Sequence, residues 1–252
     1  LVAERLPPNG RIADVATGTG IFLRSIASSY PYAILEGFDI SPALFPDKES
    51  LPQNVSLSAL DAKQPIPPLL RERYDLVHVR YISMGIMPNE WVAVVRNLST
   101  LVRPGGTLQW AECDILSLEI RRSRLDSTVD ALRSMNVWLR QALQPHYEQG
   151  WDSLDENMRI AGLVDVERNI VRADRVAETR RDLAINNLLS CSMVARSGKV
   201  ETKLTITELD ALERQAHNDI ESGAYLHYHI HVLRGSKPSR QHIDSSKARV
   251  GL

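Results

Sequence analysis

Cysteine is nearly absent: Cys113 and Cys191 are the only two among 252 residues, and their spacing does not suit a zinc site. That argues against a disulfide framework, and a reducing compartment, the cytoplasm, is expected. A basic surplus is missing as well. Thirty Lys and Arg against 31 Asp and Glu give a net charge of −1, so nothing global draws the chain to nucleic acid, although local basic patches stay open. No apolar run reaches the length of a membrane span, and Leu1–Arg11 lacks the basic stretch and apolar core of a secretory signal. No membrane partner is therefore expected. The chain opens on leucine rather than methionine, which leaves room for upstream sequence.

Internal repeats, low-complexity tracts and a clear linker are also missing, which favours a single domain over residues 1–252. A hydrophobic fraction of 43% and a charged fraction of 24% are ordinary for a globular protein. Short apolar runs alternate with helix-like stretches. The predicted strands are Arg11–Ala16, after the turn formers Pro7 to Gly10, then Ala33–Asp39, Val55–Asp61, Tyr74–Arg80 and Thr107–Glu112. Helices are predicted after Gly20 and over Trp91–Val102, the latter stopped by Arg103-Pro104-Gly105-Gly106, since proline cannot continue a helix and glycine takes the left-handed turn. From 120 to 162 the pattern is helical and strand-poor. Val164–Val171 reads as a strand, and Asp174 to His217 as helix interrupted near Ser197-Gly198. Ala224–Leu233 reads as one last alternating strand, and 235–252 as a loose tail. The order predicts an α/β, doubly wound, Rossmann-like fold. Its sheet has seven mostly parallel strands with one antiparallel, and 120–162 forms a helical cap inserted after the fifth strand.

The segment Asp14-Val15-Ala16-Thr17-Gly18-Thr19-Gly20 ends a strand and starts a helix. Small residues there let the chain turn sharply and let a ligand approach the backbone. Asp39, followed by Ile40, closes the second strand, where a carboxylate can accept from both ribose hydroxyls of an adenine nucleoside. Asp61-Ala62 closes the third, where the acid can accept from an adenine amino group. Asp39 alone does not separate a nicotinamide cofactor from S-adenosylmethionine. A nicotinamide enzyme predicts a further motif glycine three residues after Gly20, at a position held by Leu23, and leaves Asp61-Ala62 and the Pro-Gly-Gly stop without a role.

With IADVATGTG, GFDIS, LDAKQPIP, YDLVHVR and LVRPGGTLQWAE in this order, the chain resembles the class I S-adenosylmethionine-dependent methyltransferases. It is especially similar to fungal secondary-metabolite methyltransferases, including those acting on thiols of gliotoxin-like compounds. The resemblance covers roughly Arg11 to Glu112. One departure is Ala16, where the family often has its first glycine. The resemblance implies S-adenosylmethionine as cofactor and S-adenosylhomocysteine as product. It implies that Asp14 anchors the glycine turn, and that Ala16, Thr17 and Gly18 pass beside the methionine part. Asp39 and Ile40 would lie at the ribose, Asp61 and Ala62 at adenine, and Val79 and Arg80 at the sulfonium. Tyr81 and Met84 would line the acceptor entrance. Few residues precede Arg11, where relatives place a lid, so the lid lies upstream or the site is open.

Methyl transfer needs an in-line nucleophile, and positioning with desolvation can supply much of the acceleration. No side chain stands out as a catalytic base. His78, within the fourth strand, could face either way. His227, His229 and His231 share one face of the last predicted strand, where side chains point in parallel rather than converge, so no metal site is expected. The loop Val79–Ser83 also lacks the carboxylates of metal-dependent relatives. Trp110, Glu112 and Asp114 end the fifth strand and could face an acceptor. Trp138, Tyr147 and Trp151 could line a cap pocket or fill the cap's own core. The expected activity is methylation of a small-molecule nucleophile, with a lean to thiols carried by the resemblance alone. The alternative is a protein methyltransferase or a non-catalytic cofactor-binding regulator of secondary metabolism. Oligomeric state stays open.

Overall fold

The computed structural model describes residues 6–147, 151–198 and 200–239. In chain order, β1 (Arg11–Val15), α1 (Ile21–Ile26), β2 (Ile34–Asp39), β3 (Val55–Ala59), β4 (Tyr74–Arg80), α2 (Trp91–Leu101) and β5 (Val102–Cys113) come first. They are followed by β6 (Glu119–Arg122), α3 (Asp130–Tyr147), α4 (Leu154–Ile160), β7 (Val164–Arg172), α5 (Arg180–Arg196), α6 (Ile206–Ser222), β8 (Ala224–His227) and β9 (His229–Ser236). The described residues of Leu1–Glu112, Gln149–Asn169 and Val232–Leu252 form one compact unit, and those of Cys113–Glu148 and Ile170–His231 a second.

The first unit is built on a seven-stranded sheet in the order β3-β2-β1-β4-β5-β9-β7. β1, β2, β3, β4 and β5 pair in parallel. The amide of Gly105 donates to the carbonyl of Lys237 and that of Lys237 to Gly106, both at 2.9 Å. The start of β5 thus meets the end of β9, which makes β9 the antiparallel strand. The expected Rossmann-like sheet is present, and its strand order reverses between β1 and β4, where such sheets bind ligands beyond the strand ends.

Parallel strands covered on both faces bury nearly every residue, and β1 and β4 do so. Period-two alternation assigns the faces. Ala13, Val15, Val77 and Val79 pack with Val94, Val95 and Leu98 of α2. Ile12 and Leu76 pack with Leu23 and Leu35 on the other side. Trp91 and Trp110 are both buried, with ring centroids 6.0 Å apart.

The second unit gathers α3, α5 and α6 with a two-stranded antiparallel ribbon of β6 and β8. Its core holds satisfied polar groups: Asn136 donates to Asn187 at 2.8 Å, and Asp219 accepts from the Leu132 amide at 3.0 Å. Thr205 and Glu208 form a capping box at the start of α6, and Gly223 ends it in the left-handed conformation.

Three sequence expectations are corrected. Pro104-Gly105-Gly106 lies inside β5, not before it: Tyr74 pairs with Val102 but Leu76 with Thr107, so the motif is a bulge excursion held by Lys237. The strand-poor stretch contains β6. The last predicted strand is two strands, broken at Tyr228, because one half pairs with β6 and the other joins the large sheet. The helical interruption near Ser197-Gly198 falls where expected. Of the predicted tail, Gly235 and Ser236 belong to β9, and 240–252 lie outside the described residues.

Gly106 has no room for a side chain, since an added Cβ would sit 2.8 Å from the Tyr74 carbonyl and 3.0 Å from that of Asp75. Those atoms are backbone within the sheet and cannot swing away. Gly106→Ala is expected to destabilise the protein by about 1–3 kcal/mol in urea unfolding; an unchanged midpoint would mean that the bulge shifts freely.

Candidate functional site

The turn after β1 alternates through the left-handed region, with φ of 58° at Ala16, 55° at Gly18 and 71° at Gly20. Asp14, at the end of the strand, is buried, and both its oxygens are engaged. One accepts from the Thr17 hydroxyl at 2.6 Å, and the other pairs with Nδ1 of His78 at 2.7 Å. Asp14 and His78 are register partners in neighbouring strands, and the imidazole stacks on Phe22 of α1 with centroids 3.9 Å apart. His78 therefore faces α1.

The turn leans on β2. The Thr17 amide donates to the Phe38 carbonyl at 3.0 Å. Gly37 leaves the space that Thr17 and Leu57 fill: a Cβ there would lie 2.9 Å from the Thr17 hydroxyl and 2.4 Å from Leu57. The Gly18 amide donates to Asp39 at 2.9 Å, and the Ser41 amide to its other oxygen at 3.0 Å. Each Asp39 oxygen keeps further lone-pair capacity.

Ala16, Asp39, Ile40, Asp61 and Ala62 line one pocket beyond the strand ends. Its apolar walls include Ile82, Ile86 and Val94. Asp61 accepts from the Lys63 amide at 2.9 Å, an Asx turn that leaves its second oxygen available. A Cβ at Gly18 would meet nothing within 4 Å, so the turn offers bare backbone to the space beside it. Two carboxylates flanked by aliphatic walls and an open glycine turn fit an adenine nucleoside: acceptors for hydroxyl and amino groups, and apolar surface for the ring.

The other nominated residues lie apart from that lining. Asp14 and Thr17 form the inner support of the turn. Val79 is wholly buried in β4, whereas Arg80 is exposed with its guanidinium 5.9 Å from the Tyr81 ring. Tyr81 has a φ of 55°, and Met84 is half exposed. Trp110 and Glu112 are interior. The Trp110 indole donates to Glu112 at 3.0 Å, as do the amides of Ile82 at 2.9 Å and Ser83 at 3.2 Å. Despite these donors, burial pushes the Glu112 carboxyl up to about 7. One carboxyl oxygen, Oε2, is buried without a hydrogen-bond partner.

In the second unit, Asp114 caps a short turn by accepting from the amides of Leu116 and Ser117. His227 in β8 stands 3.2 Å from the Asp174 carboxylate, while His229 and His231 belong to β9, so the three do not share a strand. Among the described residues, no trio of His, Cys, Asp or Glu is placed to hold a metal ion. Trp138 lies in α3, Tyr147 is buried at its end, and Trp151 packs on the core of the first unit. Sequence reading missed Ile82, Ile86 and Val94 as pocket walls. Val94 carried a signal in the amphipathic pattern of α2, but that pattern marks burial and not what is covered.

Residues 12–106 match the family described as a methyltransferase domain. The expected family resemblance is thereby borne out. The chain is 41% identical over 112 residues to methyltransferase grgD of a Penicillium species, covering 41% of this chain and 39% of that protein. It is 38% identical over 117 residues to N-methyltransferase sirN of Leptosphaeria maculans, covering 46% of this chain and 40% of the relative. Protein-methionine methyltransferase laeA of Emericella nidulans is 29% identical over 170 residues, 66% of this chain and 43% of that one. The chain thus spans about two fifths of the length of the curated relatives it matches.

Among solved structures, Haemonchus contortus phosphoethanolamine N-methyltransferase 2, in complex with phosphomonomethylethanolamine and S-adenosylhomocysteine, is similar with a TM-score of 0.51 at 16% identity. That match covers 94% of this chain and 52% of the other. The cyclase SpnF is similar with a TM-score of 0.51 at 17% identity, covering 94% and 78%. Both matches establish the fold alone, and the cyclase illustrates that a fold does not fix a reaction.

Two outcomes follow from the local chemistry of Ala16 and Glu112. A left-handed alanine is strained by its Cβ, so Ala16→Gly is expected to stabilise the fold by about 0.5–1 kcal/mol net of glycine's entropy. A lower melting temperature would show that the methyl's contacts outweigh the strain. Glu112 keeps its proton in the folded protein up to about 7 but has an ordinary value of 4.5. Between these values the unfolded chain binds fewer protons, so this group makes stability fall as pH rises. Glu112→Gln should flatten the slope of melting temperature against pH in that window; an unaltered slope would assign it to other groups.

Proposed function

We propose that this chain transfers a methyl group from S-adenosylmethionine to a small-molecule nucleophile. The observation that carries the reading is the pocket at the ends of β1, β2 and β3, where Asp39 and Asp61 flank aliphatic walls beside an open glycine turn. When bound, the sulfonium supplies an electrophilic methyl. The protein's own task is then binding and orientation. Asp39, already fixed by the Gly18 and Ser41 amides, has its remaining lone pairs set for ribose hydroxyls. Asp61 takes the adenine amino group, and Ile40, Ile82 and Ile86 exclude water from the ring. Glu112 acts from within by holding the Ile82 and Ser83 amides; it positions the segment after β4, where Arg80, Tyr81 and Met84 meet the acceptor.

The acceptor atom is a nitrogen or a thiol sulfur, neither of which demands a strong base when its neutral or thiolate form is populated. Nitrogen is supported by the relatives named N-methyltransferases, and sulfur by the motif resemblance. A protein acceptor is the second reading, favoured by the long alignment with the Emericella relative named for protein-methionine methylation. No described helix is long and apolar enough to cross a membrane, and the cysteine-poor composition supports a cytoplasmic place of action.

Calorimetric titration with S-adenosylhomocysteine, with NAD alongside, tests the cofactor. Binding of the former alone is expected, and Asp39→Ala should weaken it by about 1.5–3 kcal/mol for each charge-assisted bond lost. Equal affinity in that variant would remove Asp39 from the ribose. Amine and thiol acceptors assayed with labelled cofactor then discriminate the reacting atom, and label appearing only in added protein would favour the second reading.

A further inference from the structure

The second unit contains an open pocket of about 850 Å³ formed by the β6–β8 ribbon and α3. Four guanidiniums line it: Arg121 and Arg122 from the ribbon, and Arg133 and Arg140 two turns apart on one face of the helix. Glu119 is the single carboxylate in the lining, so the pocket carries a surplus of three positive charges within a chain of net charge −1. Arg121 pairs with Glu119 at 2.7 Å, and Arg133 donates to the Ile120 carbonyl at 3.1 Å. Arg122 and Arg140 make no side-chain hydrogen bond or ion pair with any described residue. Tyr225, opposite Arg121 in the ribbon's register, adds an aromatic surface; the Arg180 guanidinium lies 4.6 Å from its centroid.

Like charges gathered on one wall repel, and an anion seated among them reverses the sign of that interaction. Guanidinium is the group suited to this, because its planar fork donates two parallel hydrogen bonds to a phosphate or carboxylate. A molecule with two anionic groups can engage arginines of the ribbon and of the helix at the same time. An extended polyanion finds no overall basic surplus in a chain of net charge −1.

We propose that this pocket binds a small organic molecule bearing two or more phosphate or carboxylate groups. The inference is independent of the methyl-transfer reading, since every lining residue belongs to the second unit. Its test is calorimetric titration of the whole chain with inorganic pyrophosphate and, separately, with citrate. Saturable one-site binding that weakens with added salt is expected, and the tighter probe identifies the anionic group. Arg122→Ser/Arg140→Ser should weaken it at least roughly tenfold, since two charge-assisted bonds are lost. Both side chains are exposed, so the fold should be retained, as melting temperature would verify. Lys48→Ala/Arg96→Ala removes the same charge from the first unit and should leave affinity unchanged. Absence of saturable binding, full affinity in the pocket variant, or an equal loss in the control variant would each overturn the proposal.

Discussion

A carboxyl group buried at the end of a strand must find a hydrogen-bond partner for each of its oxygens. Asp14 meets that demand with Thr17 on one side and His78 on the other, and the candidate site is arranged around the result. Thr17 fixes the glycine turn, His78 fixes the register contact between β1 and β4, and its stacking on Phe22 fixes α1. The turn so held presents the Gly18 amide to Asp39. One buried carboxyl group therefore ties two strands, a helix and a loop to the same pocket edge. Asp14 holds the glycine turn from behind and shapes the pocket wall without lining it.

Glu112 follows the same physics with a different outcome. Three N–H groups converge on one of its oxygens while the other is buried without a partner. The donors are too few to offset the loss of water, so the proton is retained to near neutrality. A segment that needs an internal acceptor is thus organised by a group whose charge is itself easily lost.

Much of this was legible beforehand where local signals agree. Glycine turn, parallel strands and the acids Asp39 and Asp61 each depend on chain-local features: turn chemistry, apolar runs and a fixed offset from strand ends. Five nominated residues accordingly meet at one pocket. What escaped depends on partners distant in the chain. The face of His78 is decided by its pairing with Asp14, the course of Pro104 to Gly106 by Lys237, and the break at Tyr228 by competition between two sheets. The four arginines on β6 and α3 are scattered in sequence, and a net charge near zero conceals them. Periodicity describes one segment at a time and cannot report such encounters.

The clasp between the Pro-Gly-Gly bulge and Lys237 has a consequence for how the chain reaches its native state. Lys237 also donates from its ammonium to the Val102 carbonyl, a contact spanning 135 positions. During synthesis, β1 to β5 can leave the ribosome and pair while β9 is still unmade. For that interval β5 ends the growing sheet with its ladder groups unpaired, the kind of template that recruits a strand from another chain. The closure entropy of so distant a contact slows its completion. Yield in a cell should therefore depend on how quickly the last strand is delivered, and on chaperones that cover the edge until it arrives, more than on the equilibrium strength of the finished core.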